Sequence, residues 1–390
     1  MVLALACPAQ AEEQGALAGI SKLRAADFLD SAMRRTLEDW IGQQAEILLD
    51  EEKELSAKRE IRSLFNRAVR ADPDNEDIPN DRFKATFAES TVKVFGPRME
   101  DGEPTGVLMM VMILHDLRGL LSSSSLGPDG LLRALLHPTP AVKYWAARTI
   151  RLMHPTFARD VDTRNAIIDA LRKAGMDEPN GLAVRQIYLA MDLSGSAEKI
   201  EFAEEVTEAL VDIFEARGSG YADGDVAVSD GDLAGLSAMS RLSGPMRSTD
   251  PERARRKRYL TALTLMLCRV VEDYTAQLEM RGELGRSRRQ LLGRLLRVSR
   301  GIEREFRRLI EGTDAKTDAI PDVYRKMEAG IAEEILYARN RWCGWPAETK
   351  GAKPVKGILN HESIGVAPAG GYLKTRSGRP GTQPVATRPE

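Results

Sequence analysis

Apolar residues recur three and four positions apart through most of the chain, the spacing that places side chains on one face of an α-helix. Residues 107–121 are apolar almost all round, which predicts a central helix that is buried on every side. The predicted helix 82–95 should bury Phe83, Phe87, Val94 and Phe95. The predicted helical stretches of the N-terminal region are 20–49, 51–69, 82–95 and 107–121.

Residues 131–153 contain two short helical patterns on either side of the turn His137-Pro138-Thr139-Pro140. Neither helix can bury its apolar stripe alone, so we expect the pair to stack against neighbouring helices. Trp145 should point inward with its stripe, and Lys143 should lie at the edge, at least partly exposed. The first stripe is Leu132, Leu135 and Leu136, and the second is Val142, Trp145, Ala146, Thr149 and Ile150.

This unit resembles a HEAT repeat, with the pattern L-L-x-x-P-x-P-x-V-[KR]-x-x-A-A-x-x-[IL]. Forty-two residues on, Ala183-Val184-Arg185 falls in register with Ala141-Val142-Lys143, which indicates a second, weaker unit over 165–191. The resemblance implies an α-α solenoid. In that family an Asp before the turn proline and an Arg in the next helix form a polar ladder between repeats. His137 and Lys143 replace them here.

The remaining pattern predicts an all-α chain in which the HEAT-like segment, 122–245, is flanked by N-terminal helices, 16–121. Helices are expected over 199–217 and 233–242, with a loop over 218–232 between them. Three long helices joined by short glycine-containing links predict an antiparallel bundle over 250–340. Residues 347–390 are rich in Gly, Pro, Thr and basic residues without apolar periodicity, which predicts a disordered basic tail. The three long helices are 250–280, 286–311 and 318–339.

Composition excludes several function classes. The formal net charge is −2, so the chain as a whole has no electrostatic attraction to nucleic acid or membranes. No apolar run reaches the roughly 18 residues that a membrane span needs. The three cysteines make neither a disulfide framework nor a zinc-ligand spacing, and we predict no metal and no cofactor.

The first eleven residues, MVLALACPAQA, are an apolar run that ends in Ala9-Gln10-Ala11, the small-x-small pattern of a secretory cleavage site. The basic residues that open such signals are missing, so we expect the coding region to begin further upstream. The pattern predicts an exported protein, periplasmic or secreted, whose mature chain begins at Glu12. A frayed apolar terminus on a cytoplasmic protein is the alternative.

One face of the predicted helix 286–311 carries seven arginines. Guanidinium groups pair bidentately with phosphates and carboxylates, so this face is a candidate binding site for a polyanion or an acidic partner. The solvated face of a bundle helix is the preferred interpretation, because exposed helix faces are usually charged. The arginines are Arg286, Arg289, Arg297, Arg300, Arg304, Arg307 and Arg308.

Other candidate sites are weaker. Asp223-Gly224-Asp225-Val226 with Asp230 matches half of a calcium loop, but too few oxygen ligands converge, and a turn-rich linker is preferred. His115-Asp116 has the order of an oriented base, although a core histidine is preferred. No catalytic motif is present, so an enzyme of unrecognised type gives no basis for naming a reaction.

The sequence therefore favours a non-enzymatic helical-repeat scaffold that binds a protein partner. The first alternative is a polyanion-binding module that uses the arginine face and the basic tail. The second is an enzyme with a site between the N-terminal helices and the solenoid. The sequence does not specify the oligomeric state.

Overall fold

The computed structural model is mostly helical in the residues that it describes, and none of these residues forms a strand. The prediction of an all-α chain is confirmed. The described residues are 17, 19–26, 28–70, 78–121, 130–157, 161–191, 203–223 and 226–242, with isolated positions at 255, 258, 285, 286, 290 and 294.

The N-terminal helices begin at identifiable caps. Asp30 precedes α1 (Ser31–Leu49) and accepts a hydrogen bond from the Met33 backbone N–H, and Asn80 precedes α3 (Asp81–Phe95) and accepts one from the Arg82 backbone N–H. The predicted single stretch 20–49 is wrong, because a break over 25–30 separates a helical segment at 19–24 from α1. The helices are α1 (Ser31–Leu49), α2 (Leu55–Val69), α3 (Asp81–Phe95) and α4 (Pro104–Asp116).

An aromatic cluster fills the space between α1, α2 and α3. The ring centroids of Trp40 and Phe65 are 5.4 Å apart, and Phe87 lies 5.5 Å from Phe65 and 6.1 Å from Trp40. Phe95 lies 5.5 Å from Phe65 on another side. Tilted rings at these separations attract each other beyond the burial of their surface. Of the four residues predicted to be buried on α3, only Val94 is partly exposed.

Helix α4 is central, as its apolar sequence predicts, and it packs against α1, α2 and α3. The helix ends earlier than predicted, at Asp116, and a 3-10 turn over Arg118–Leu120 follows. Its first turn is held by Glu103, whose carboxylate accepts hydrogen bonds from the backbone N–H groups of Thr105 and Gly106. A carboxylate at this end also complements the helix dipole.

The second half of this region contains α5 (Leu131–Ala134), α6 (Pro140–Phe157), α7 (Val161–Met176) and α8 (Gly181–Met191). The helix pattern predicted before the proline turn is only one turn long, and Leu136 is 47% exposed instead of joining the stripe. Val142 and Val184 are both fully buried, so the predicted register places equivalent residues in equivalent environments.

Two predictions for α6 are wrong. Lys143 is buried, with 8% of the residue exposed, whereas Trp145 is partly exposed. The buried ammonium is tolerated because Glu178 supplies a carboxylate 3.1 Å away. Trp145 lies at the border of the stripe, because Val142, Ala146, Thr149 and Ile150 occupy its centre.

Two further helices follow, α9 (Ala203–Asp223) and α10 (Asp230–Leu242). Helix α9 continues six residues beyond the predicted end at Arg217, so the predicted loop 218–232 is much shorter. Asp232 accepts hydrogen bonds from the backbone N–H and the hydroxyl of Ser229, which fixes the start of α10.

Contacts among the described helices form a series. Helix α2 contacts α4, α4 contacts α6, α6 contacts α8, and α8 contacts α10. Helix α7 packs against α8, and the first half of α9 joins them through an Arg172–Asp212 ion pair of 3.0 Å and a Tyr188–Phe214 ring stack of 5.3 Å. Consecutive members of the series are therefore neighbours in space.

The contacts divide the chain into two units. The first contains residues up to Phe214 together with Ser229–Ser248, and the second contains Glu215–Val228 and Thr249–Glu390. In the second unit, Arg258 pairs with Glu215 at 2.6 Å. The predicted bundle 250–340 lies outside the described residues except for a few isolated positions. The leader 1–11 and the tail 347–390 lie wholly outside them.

Candidate functional site

Polar contacts connect the turns that precede α4, α6 and α8. At the first turn, the Lys58 ammonium of α2 lies 2.7 Å from the Glu103 carboxylate, and the Lys58 side chain is almost fully buried. Burial raises the pKa of Glu103, but the hydrogen bonds from Lys58, Thr105 and Gly106 outweigh it and lower the pKa to about 2. Glu103 therefore caps one helix and is paired with another.

At the second turn, His137 is buried and bridges two segments. The Thr139 backbone N–H donates to Nδ1 of His137 at 3.1 Å, so Nε2 carries the proton of the neutral ring. Nε2 donates to the Gly102 carbonyl oxygen at 3.2 Å, in the turn before α4. His137 thus accepts a backbone N–H of its own turn, as an Asp would, and also contacts the preceding turn.

At the third turn, Glu178 pairs with Lys143 of α6. Their side chains are 1% and 9% exposed, so the pair is almost fully desolvated. The other carboxylate oxygen of Glu178 accepts a hydrogen bond from the Asn180 backbone N–H at 2.8 Å, and Asn180 in turn caps the first turn of α8. The three turns therefore share one arrangement, in which a polar side chain both organises its own turn and contacts an adjacent element.

A second polar network crosses α2, α4 and α6 on another side. Arg62 holds Asp116 through two hydrogen bonds, of 2.7 and 3.1 Å, and Asn66 donates a third of 2.9 Å. Burial raises the pKa of Asp116, but these donors outweigh it and lower the pKa below its usual value. The Asp116 carboxylate is thus directed to α2.

His115 lies on a different side of α4 from its neighbour Asp116 and contacts α6. The Thr149 hydroxyl donates to the Trp145 carbonyl oxygen at 2.7 Å, so its oxygen accepts from Nδ1 of His115 at 3.2 Å. Burial lowers the pKa of His115 to about 4, and the positive charges of Arg118, Arg148 and Arg62 also lower it. The imidazole is therefore neutral at pH 7.

The less favoured interpretation of His115-Asp116 as an oriented base does not hold, because consecutive helix residues point in directions about 100° apart. Thr149, the hydroxyl beside His115, is fully buried and already donates to a backbone carbonyl. These groups have the geometry of a structural contact between α4 and α6.

An arginine–aromatic patch, consisting of Arg118, Tyr144, Trp145 and Arg148, lies on the solvent side of this contact. The Arg148 guanidinium carbon lies 4.9 Å from the Trp145 ring centroid, and one of its nitrogens donates to the Tyr144 hydroxyl at 3.3 Å. The two rings meet edge to face at 5.8 Å. Arg118 is exposed and donates to the His115 carbonyl oxygen at 2.8 Å.

The patch combines the residue types that dominate binding hot spots, Trp, Tyr and Arg, in a partly exposed and mutually ordered arrangement. Tyr144, Trp145 and Arg148 restrain one another before any partner arrives, which lowers the entropy lost on binding. Arg151 and Leu152 extend it by one turn of α6, and Leu152 is 48% exposed.

Of the seven arginines predicted as a binding face, the structure describes one. Arg286 is helical and exposed. The other six lie outside the described residues, so the polyanion site stays a prediction. They are Arg289, Arg297, Arg300, Arg304, Arg307 and Arg308.

The half-matched calcium loop is divided between two elements. Asp223 is the last residue of α9 and Asp230 is the first of α10, while residues 224 and 225 lie outside the description. Among the described residues, no group of three or more His, Cys, Asp or Glu side chains has the arrangement of a metal site.

Sequence reasoning did not identify the turn contacts or the patch. The turn contacts had a readable signal, because Glu103-Pro104, His137-Pro138 and Glu178-Pro179 each place a polar acceptor before a proline and a helix. The patch had none, since Arg118 is 26 residues from Tyr144 and only the packing of α4 on α6 brings them together.

Neither a family model, nor a curated protein, nor a solved structure matches this chain. In the part of the chain that the structure describes, none of the helices has the length and apolar character needed to cross a bilayer.

Proposed function

We propose that this chain is a HEAT-like α-solenoid that acts as a scaffold and binds a protein partner through the arginine–aromatic patch. The contact series α2, α4, α6, α8 and α10 supports the solenoid, because each repeat of such a protein contacts its neighbours. The polar contacts of His137 and Lys143 support the repeat, because these two residues occupy the positions of the HEAT ladder with different residue types.

A single observation carries the binding function: the stacked, hydrogen-bonded set of Tyr144, Trp145 and Arg148 on the solvent side of α6. The opposite side of α6 packs in the interior through Val142, Ala146 and Ile150. Folding therefore requires the apolar stripe, whereas the ordered aromatic and cationic side chains are placed to meet another molecule.

Site-specific photo-crosslinking tests this function. A photo-crosslinking amino acid would replace Tyr144 or Arg151, and a control would carry it at Arg35, which is exposed on α1. We expect one protein to be captured from positions 144 and 151 in the native compartment, and not from position 35. Trp145→Ala in the same chain should abolish the capture. Equal capture from all three positions, or none from 144 and 151, would refute the function.

We also propose that the protein is exported, on the basis of the apolar segment 1–11 and its Ala9-Gln10-Ala11 motif. N-terminal sequencing of the protein, expressed with its upstream coding region, should find a mature chain that begins at Glu12. An intact segment 1–11 on cytoplasmic protein would contradict this proposal.

A further inference from the structure

We infer that the arginine–aromatic patch binds an acidic segment of the partner, in which Asp or Glu residues alternate with aliphatic ones. This inference rests on the proposed function, since it names the chemistry of the partner at the same site. The carboxylates would pair with Arg118, Arg148 and Arg151, and the aliphatic side chains would cover Trp145 and Leu152.

The charge of this surface favours an anionic ligand. Three arginines are exposed or partly exposed on α6 and at the end of α4, namely Arg118, Arg148 and Arg151. The adjacent acid, Asp116, is neutralised by its two hydrogen bonds from Arg62. Burial is the main cause of the lowered pKa of His115, and the positive charges of Arg118, Arg148 and Arg62 lower this pKa further.

The geometry of Arg148 favours a carboxylate. Its guanidinium is held by the Trp145 ring and by one hydrogen bond to Tyr144. A guanidinium has five N–H donors in a planar fork, which matches the two oxygens of a carboxylate. A side chain that is already oriented loses less entropy when the carboxylate binds.

The surroundings of the arginines favour a peptide over a nucleic acid. Single-stranded nucleic acids bind through aromatic rings on which bases stack, and the Trp145 ring already carries the Arg148 guanidinium. Leu152 offers 48% exposed aliphatic surface one turn further along, which suits the side chains of a peptide.

The test measures fluorescence anisotropy of the full-length protein with a labelled peptide of alternating Glu and Leu. Two probes serve as controls: the same peptide with Gln in place of Glu, and a single-stranded oligonucleotide of equal charge. The protein variants are Arg118→Gln, Arg148→Gln and their combination, with Arg35→Gln as an exposed control on α1. Circular dichroism confirms that each variant folds.

We expect the Glu peptide to bind and the double variant to weaken binding by about threefold to thirtyfold, as the loss of two exposed charge pairs predicts. Arg35→Gln should have no effect, and binding should weaken with added salt. Equal binding of the Gln peptide, no effect of the patch variants, or no binding of the Glu peptide would overturn the inference. Stronger binding of the oligonucleotide, lost in the same variants, would overturn it in favour of a polyanion site.

Failure here and failure of the scaffold function are distinguishable. If photo-crosslinking captures one protein from positions 144 and 151 while the Glu peptide does not bind, the scaffold function stands and the acidic chemistry is wrong. If crosslinking also shows no dependence on position, the patch is not a binding surface.

Discussion

Lys143 and Trp145, which are two residues apart on α6, show the opposite burial to the one that their chemistry suggests. Lysine is rarely buried without a partner, and tryptophan is usually mostly buried. On α6 the arrangement is reversed, because Glu178 arrives from the next turn and pairs with Lys143. Val142, Ala146 and Ile150 therefore lie at the centre of the apolar stripe, and Trp145 lies at its border.

The burial of Lys143 and the partial exposure of Trp145 give a prediction for stability. Lys143→Ala should lower the free energy of unfolding by about 3–5 kcal/mol, because it leaves the Glu178 carboxylate buried without its counter-ion. Trp145→Ala should cost roughly 1–2 kcal/mol, less than a fully buried aromatic would. Arg35→Ala, an exposed control, should cost about 0.5 kcal/mol or less. Denaturant melts measure all three, and a larger loss for Trp145→Ala would contradict the assignment of the pair.

His115 gives a second prediction at this scale. The pKa of His115 is lowered to about 4 from its usual 6.5, first by burial and then by the arginines around it. Between about pH 6.5 and 4, His115 is therefore protonated in the unfolded chain but remains neutral in the folded chain. The stability from the neutral imidazole is complete above about pH 6.5 and is lost as the pH falls through 4.

Nuclear magnetic resonance of the histidine ring protons checks this value. The resonance that disappears in His115→Gln should titrate near pH 4. The pH dependence of stability between 6.5 and 4 should become shallower in the same variant. A resonance that titrates at the usual value would show that His115 is solvated and that its contact with Thr149 is not maintained.

At the scale of elements, close approach between helices depends on two glycines that the sequence did not distinguish from any others. A Cβ atom on Gly106 would lie 2.3 Å from the Leu48 carbonyl oxygen, so the start of α4 touches the backbone of α1. A Cβ atom on Gly231 would lie 2.3 Å from the Gly181 carbonyl oxygen, so α10 approaches α8 in the same way. Both approaches require the absence of a side chain.

Gly106→Ala and Gly42→Ala form a matched pair that tests this contact. Alanine favours helix by about 1 kcal/mol over glycine, and a Cβ on Gly42, in α1, would meet nothing within 4 Å. Gly42→Ala should therefore raise the free energy of unfolding by about 0.5–1 kcal/mol. Gly106→Ala should lower it by about 1–3 kcal/mol, because backbone atoms must move apart. Thermal melts that show the same sign for both variants would contradict this packing.

The helices were largely predictable, because the apolar spacing of a helix can be read from the local sequence without knowing which helices pack against it. Helix α3 begins one residue from its predicted start, and α4 is central as its composition requires. The errors fall where a local cap decides the outcome. Asp30 starts α1 after a break that periodicity alone does not show, and α9 continues through a Gly-containing stretch that reads as a loop.

The candidate site was less predictable, because it depends on packing. Arg118 belongs to the 3-10 turn after α4, and this turn packs against α6. The sequence shows that Trp145 and Arg148 are close on one helix, but not that their side faces solvent. The predicted arginine face of residues 286–308 lies almost entirely outside the described residues and stays a prediction.

For the whole molecule, the contact series has a consequence that a globular core does not share. Among the described helices, α2, α4, α6, α8 and α10 each contact the next, so in the proposed solenoid a disturbance at one end passes to the other through the intervening helices. In proteins of stacked repeats, stability is approximately a sum of local terms and nearest-neighbour terms. Damage should therefore stay local.

Two variants at opposite ends of the series test this locality. Gly106→Ala disturbs α1 and α4, whereas Gly235→Ala places a Cβ 2.7 Å from Tyr188 of α8 and 2.8 Å from Phe214 of α9. Hydrogen-exchange mass spectrometry should show faster exchange in α1 and α4 for the first variant, and in α8 and α10 for the second. Helix α6, between them, should respond weakly to both. A uniform increase across all the described helices in either variant would indicate one cooperative core and would refute the proposed solenoid.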